Sequence, residues 1–504
     1  MPKKISCRNI RCKLQNYCAI VVLSSIFWLN SAHHVEGSEL SANQQHILSR
    51  LSFGVTSSER DRVNKMGLEA YIESQLKPES IEESALLENY LNSLHLMNRG
   101  WIDLLEENSI LHKKLKSYEA SASTKQHAAV QEKIRRFHSG LQKQVVESHI
   151  ARAIYSNRQL QEVMTDFWLN HFSVDIRKGQ VKFWLNDYEN QIRKRALGNF
   201  YGLLLTTARH PAMSIYLDNR TNVSPMSPAG KRTKQGLNEN YAREVMELHT
   251  LGVDGGYSQD DIITLAKILT GWSIDDKGIR GNKQGFFFNA NRHDPTDKVF
   301  LGQQITGGGI KEGEQALRIL ADRPATARFI SYKLAQYFVA DTPPESLVES
   351  LTKSFLNSRG NIAFVLDTLI HSQEFNDPQY YGQKFTTPFQ YLTSIVRMGE
   401  IEQPEITRIR GMLHQLSMAV FQCATPDGYK NIQSAWLNPQ AMLQRTGLAT
   451  AIANGVLNRS ERVEIQKLEQ NMGEISTSTM QVVEKTPKRL QTALVMGSPE
   501  AMHR

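Results

Sequence analysis

The sequence predicts a mainly α-helical protein, one large multi-helix domain with a small inserted β-hairpin at about residues 286–302. Three observations lead there. From Glu79 to His210 there are 132 consecutive residues without proline, the residue a helix interior tolerates least. Apolar residues then return at helical spacing in five separate segments. Short strand-like apolar runs stand out at one place only. With 504 residues, 40% hydrophobic and 22% charged, the chain has the material for a large core, which excludes disordered and fibrous classes.

The elements follow in chain order. Residues 1–37 read as a secretory signal peptide. Lys3, Lys4, Arg8, Arg11 and Lys13 form a basic start, Tyr17 to Leu29 an apolar stretch of 13 residues, and Val35-Glu36-Gly37 a small-residue cleavage context. Thirteen apolar residues are too few to cross a bilayer of about 30 Å. An uncleaved anchor is the competing reading. No later stretch reaches the length of a membrane span, so the mature chain is expected without a transmembrane segment, exported to the periplasm or secreted. Cleavage after Gly37 removes five positive charges and one negative from a formal +8, leaving +4 on 467 residues. The remaining Lys and Arg alternate with Asp and Glu, so no nucleic-acid surface is expected. Of four cysteines, Cys7, Cys12 and Cys18 leave with the leader, and Cys423 remains as a buried, small apolar residue.

From about 108 to 147 the chain is charged and weakly apolar, interrupted by Ser121-Ala122-Ser123-Thr124, and predicts a protruding helical insertion. Leu160, Val163, Met164, Phe167 and His171 then share one helical face. Leu197, Phe200, Leu204 and Ala208 repeat the spacing. So do Ile262, Leu265, Ala266 and Leu269, behind a Ser258/Asp261 capping box. Ile330, Leu334, Tyr337 and Phe338 follow Pro324 at a first helical turn, and Ile362, Val365, Leu366 and Leu369 close the series. Phe286-Phe287-Phe288 and Val299-Phe300-Leu301, separated by polar residues, predict the hairpin. Gly307-Gly308-Gly309 is a loop without the Lys-Ser/Thr of a phosphate cradle. The segment at about 455–487 is polar and expected to be loose.

Three constellations can carry chemistry. The densest runs from Gly236 to Tyr257. With Asn238 as cap and Gly252 as the left-handed end of a helix, Asn240, Glu244 and Glu247 share a face. Two carboxylates and an amide aimed one way can bind a hard cation, or raise one carboxyl so that it serves as a general acid. The competing reading is a structural network in which Arg243 pairs with Glu247. The second is His293-Asp294 with Asp297 and Lys298, an imidazole and a carboxylate offered to a metal or, alternatively, a hydrogen-bonded turn. The third is Asp166 to Phe172, in which His171 lies on the core face while Asp166 and Asn170 lie on another, able to meet the pocket of Glu244. Together these assign Glu244, Glu247, His249 and His171 as catalytic. Asn238, Asn240, Arg243, Asp254 and Lys298 are assigned to binding, and His293 and Asp294 to a divalent metal as the cofactor. There is no nucleophile elbow, His-Glu-x-x-His pair or Walker sequence.

Phe167 to Phe172, as FWxNHF, and Gly236 to Ile262, around the core NENYARE, give the chain its family resemblance. Leu269-Thr270-Gly271-Trp272, His293-Asp294, Lys298 to Gly302, Pro324 to Phe329 with Lys333-Leu334, Lys384, Thr387-Pro388-Phe389 and Ser498-Pro499-Glu500 extend it. The chain closely resembles the bacterial family named domain of unknown function 1800 over nearly its whole mature length. One departure is Gly428-Tyr429 before Trp436, where the family commonly has Gly-Trp. The resemblance implies an exported, largely helical protein with a sulfatase-like companion family as its partner, and no established activity. Two functions remain in view. A hydrolase-like enzyme requires Glu244 and His293 to converge within about 5 Å on a solvent-reachable pocket. A non-catalytic binding or assembly protein requires a sealed polar core.

Overall fold

The computed structural model describes residues 40–120, 124–276, 285–458 and 462–504. The signal peptide, the middle of the Ser121-Thr124 interruption and residues 459–461 of the polar segment lie outside the described residues. Helices dominate, and two short two-stranded sheets are the strand content of the described residues. Residues 41–504 form one compact unit around a continuous apolar core.

The helices that position the site are named in chain order. The charged stretch folds as α1 (Trp101–Ala120) against α2 (Thr124–Tyr155), whose C-terminal half is buried from Val145 to Ile154. Next come α3 (Gln159–His171) and α4 (Val181–Arg193), which pack on each other and on α2. α3 buries Leu160, Val163, Met164, Phe167 and His171, the face its spacing predicts. α5 (Asn240–Glu247) is shorter than expected. Beyond Glu247 the bonds widen, with the His249 N–H donating to Glu244 O at 3.2 Å and the Leu251 N–H to Met246 O at 2.9 Å, before Gly252 turns at φ +79°. α6 (Gln259–Ile268) begins with the Ser258/Asp261 capping box. α7 (Ile310–Ala321) leads into α8 (Pro324–Phe338), and α9 (Pro388–Met398) starts at a Thr387/Gln390 capping box.

Both apolar runs of the expected hairpin are strands, but they do not pair with each other. β1 (Trp272–Ile274) pairs antiparallel with β2 (Phe286–Phe288), Trp272 opposite Phe288. β3 (Lys298–Phe300) pairs with β4 (Gln303–Ile305) across Leu301-Gly302, both at positive φ as a primed two-residue turn demands. The β3 partner escaped notice because Gln303-Gln304-Ile305 carries little apolar signal. The polar connector is also no simple turn, since His293 and Asp294 in it are buried anchors.

Candidate functional site

The connector between β2 and β3 delivers a buried polar cluster. His293 uses both ring nitrogens: Nδ1 lies 2.8 Å from Thr270 O and Nε2 2.8 Å from Glu312 Oε1. The Lys298 ammonium donates to Glu312 Oε2 at 2.7 Å and to the Asp294 and Thr296 carbonyls at 2.8 and 2.6 Å. Asp294 accepts from Ser224 Oγ at 2.9 Å and Thr296 Oγ1 at 2.6 Å. Burial would lift Glu312, but His293, Lys298 and the Gly308 and Gly309 N–H groups hold it down at about 2. The cluster is satisfied within itself, and with both nitrogens of His293 engaged it has no imidazole lone pair to give a metal. These contacts tie β3 to α7 and engage His293, Asp294 and Lys298, the residues assigned above to a metal and to binding, with protein partners. Among the described residues no group of three or more His, Cys, Asp or Glu side chains is placed to hold a metal ion.

The α5 segment is also largely self-partnered. Asn238 Oδ1 accepts the Asn240 N–H at 3.0 Å, and the Asn240 side-chain amide donates to Leu217 O at 3.2 Å. Arg243 reaches Glu239 at 3.4 Å, Glu247 at 3.5 Å and Gln259 at 3.0 Å. These are helix-end and inter-helix contacts, and Asp254 is exposed. Glu244 is half-buried, and burial first, then the neighbouring Glu247 carboxylate, raises its pKa.

The polar groups that meet open space lie elsewhere, in a cavity of about 480 Å³. α3 supplies Asp166, Phe167, Asn170 and His171; α8 supplies Phe329, Lys333, Gln336 and Tyr337; α9 supplies Phe389 and Gln390. α5 contributes Glu247, α2 contributes His149, and residues 418–431 close the remaining side with Phe421, Cys423, Asp427, Tyr429 and Lys430. Four of the segments that carry the family resemblance therefore wall this space: FWxNHF, Glu247-Leu248 within the Gly236 to Ile262 stretch, the Phe329 to Lys333 helical turn, and Thr387-Pro388-Phe389. Neither Glu244 nor His293 lines it, so the convergence expected of them is not formed. Of the four residues assigned as catalytic, Glu247 and His171 line the cavity; His249 is 1% exposed behind it.

His171 donates from Nε2 to His249 O at 3.1 Å, which leaves Nδ1 as a buried lone pair without a partner. Burial, then the Lys333 ammonium and His249, push its pKa well below the usual range, so the ring is neutral. His249 is lowered to about 3 by burial and Lys333. The Lys333 amine makes no hydrogen bond or ion pair with a described residue; its nearest aromatic neighbour is the Phe329 ring, 5.4 Å away. Burial and Lys430 lower it to about 8 against the pull of Asp427.

Behind Asp166 runs a chain of charges. His149 Nε2 is 3.4 Å from Asp166 Oδ1, and its Nδ1 is 3.2 Å from Glu189 Oε1. Burial opposes charge on this ring, but the two carboxylates override it and raise the pKa to about 9. Arg193 completes the chain by pairing with Glu189 and, at 2.9 Å, with Glu162.

Asn170 fixes the loop side. Its Nδ2 donates to Tyr429 O at 2.8 Å and its Oδ1 accepts the Tyr429 N–H at 2.7 Å. Gly428 permits this approach: at φ +73°, a Cβ there would sit 2.3 Å from Asn170 O. Tyr429, standing where the family commonly has Trp, donates to Ala419 O at 2.8 Å and packs near Trp436.

Sequence reasoning missed Lys333, His149 and the 418–431 wall. A signal for Lys333 existed, since it lies four residues from both Phe329 and Tyr337 on one helix.

The fold and site define a mainly helical protein enclosing one apolar cavity edged with acid and base groups. The family described as "Protein of unknown function (DUF1800)" matches residues 46–503, and the chain belongs to that family. No curated protein and no solved structure matches the chain. No described helix is long and apolar enough to cross a membrane.

Proposed function

We propose that this chain is a hydrolase-like enzyme of acid–base chemistry acting on a small, uncharged, largely apolar molecule held in the cavity between α3, α8 and α9. The observation that carries this reading is the Lys333 amine, which lines the cavity without a hydrogen-bond or ion-pair partner among the described residues, while the unpartnered His171 Nδ1 is buried beneath the cavity surface. Uncommitted polar groups at a buried surface cost stability, and a site that must bind and react is where they are kept. Asp166, Glu247 and Asp427 on the same wall oppose an anionic ligand, and Phe167, Phe329, Phe389 and Phe421 suit an apolar body. Catalysis passes in this reading from Glu244 and His249 to His171 and Lys333, with Glu247 retained at the wall.

The test is titration with the neutral fluorophore N-phenyl-1-naphthylamine. Saturable binding to wild type is expected, weakened at least tenfold by Val420→Trp, which fills the cavity, with the anionic analogue 8-anilinonaphthalene-1-sulfonate binding more weakly. Equal binding by wild type and Val420→Trp would remove the cavity as the site.

We also take the chain to be exported by the leader at 1–37, with a sulfatase-like exported protein as companion. Sequencing the N-terminus of protein recovered from the periplasm or medium is expected to begin at Ser38. An intact Met1 would end that reading.

A further inference from the structure

We propose that the nucleophile of this cavity is the Lys333 amine itself, and that its substrates are aldehydes or ketones, which it captures as an imine. The inference rests on the cavity as the binding site proposed above, replaces hydrolysis there by condensation, and names the substrate class and the bond formed.

Three features favour it. First, the partly buried Lys333 differs from the buried lysines of this protein. Lys298 is held by Glu312 and two carbonyls, and Lys384 by Asp341 and the Asn431 carbonyl at 2.7 Å. Lys333 has no hydrogen-bond or ion-pair partner among the described residues, so its lone pair is not tied to a structural duty. An apolar shell and a second ammonium, Lys430, are the two conditions that keep an amine neutral and nucleophilic near neutral pH. Second, His171 lines the same cavity with its ring fixed by the bond to His249 O, its unpartnered Nδ1 lying buried beneath the cavity surface. Third, the cavity that Lys333 lines also carries Asp166, Glu247 and Asp427, the last paired with Lys430, which disfavours an anionic ligand. These groups leave a neutral carbonyl compound as the ligand that meets an amine without repulsion.

The step balances without an added oxidant or reductant. The Nζ lone pair forms a bond to the carbonyl carbon as the C=O π pair moves to oxygen. The proton released from nitrogen passes to that oxygen, giving a carbinolamine. The C–O bond then breaks and the oxygen leaves as water with the second nitrogen proton. Amine plus carbonyl gives imine plus water.

The experiment treats the full-length mature protein with benzaldehyde and sodium cyanoborohydride, which reduces an imine to a stable secondary amine, and maps the adduct by peptide mass spectrometry. Adduct at Lys333 is expected at least tenfold faster than at any other lysine, Lys384 and Lys298 included, with a rate rising up to about pH 8. Lys333→Met, which circular dichroism should show folded, is expected to abolish it. Labelling spread evenly over surface lysines, with naphthylamine still binding, overturns the imine and spares the cavity. Loss of both labelling and naphthylamine binding overturns both.

Discussion

Lys333 sets function against stability at a single position. A partly buried amine without a partner beside an apolar cavity is poorly compensated, so replacing it with an apolar chain of similar length relieves the cost. Lys333→Met is expected to raise stability by about 1 kcal/mol in urea unfolding while abolishing chemistry in the cavity. Unchanged or lowered stability would mean that the amine has a partner in solution. At Gly428 the reasoning runs the other way. The residue combines positive φ with a 2.3 Å approach to Asn170 O, so Gly428→Ala must move the loop or break the Asn170–Tyr429 clamp. A loss of about 1–3 kcal/mol is expected, with faster proteolysis between 418 and 431. An unaltered digestion pattern would show that this wall is held by other contacts.

Between elements, the chain Glu162, Arg193, Glu189, His149, Asp166 joins α2, α3 and α4 where they pack on each other. It carries three carboxylates against two cations, and the partly buried Arg152 guanidinium adds a third positive charge that acts on Glu162 and Glu189. Arg193→Met leaves Glu162 and Glu189 buried beside one another, and a loss of about 3–5 kcal/mol is expected from equilibrium unfolding. The triple variant that also converts Glu162 and Glu189 to Gln should regain a large part of it, because the unpaired charges are then gone. Failure of the triple variant to recover would place the cost in lost packing of the Arg193 stem. The His293–Glu312–Lys298 cluster plays the same part between β3 and α7, where it resembles the sealed polar core expected of a structural network.

For the molecule as a whole, the histidines set a pH optimum. His149 is raised from 6.5 to about 9, so its contribution is complete below pH 6.5 and is lost as pH rises through about 9. His46 and His249 are lowered to about 3, and His171 is lowered well below its usual value. The unfolded chain takes up their protons below pH 6.5 while the folded chain does not, so stability falls again on acidification toward pH 3. The melting temperature is expected to peak near pH 7, and His149→Gln should flatten the alkaline limb alone. A curve rising monotonically from pH 6 to pH 9 would contradict the charge assigned to His149.

Much of the fold was legible in the sequence because helix formation is decided locally. The spacing of Leu160, Val163, Met164, Phe167 and His171, the Ser258/Asp261 box, Pro324 and the positive φ of Gly252 are all read within a few residues, and each occurs as expected. The local reading failed where pairing is a matter of distance: Phe286–Phe288 found Trp272–Ile274, and Lys298–Phe300 found the polar Gln303–Ile305. The site divides the same way. Residues rich in local chemistry, His293, Asp294, Glu244 and Asn240, drew attention in the sequence, yet most of their partners proved to be structural. Lys333 and His149 look ordinary along the chain. What distinguishes them is which groups the packing of α2, α3 and α8 brings near them and which it withholds. A free amine, a free lone pair and a charged imidazole between two carboxylates are properties of desolvation and distance, and those exist only once the helices have packed.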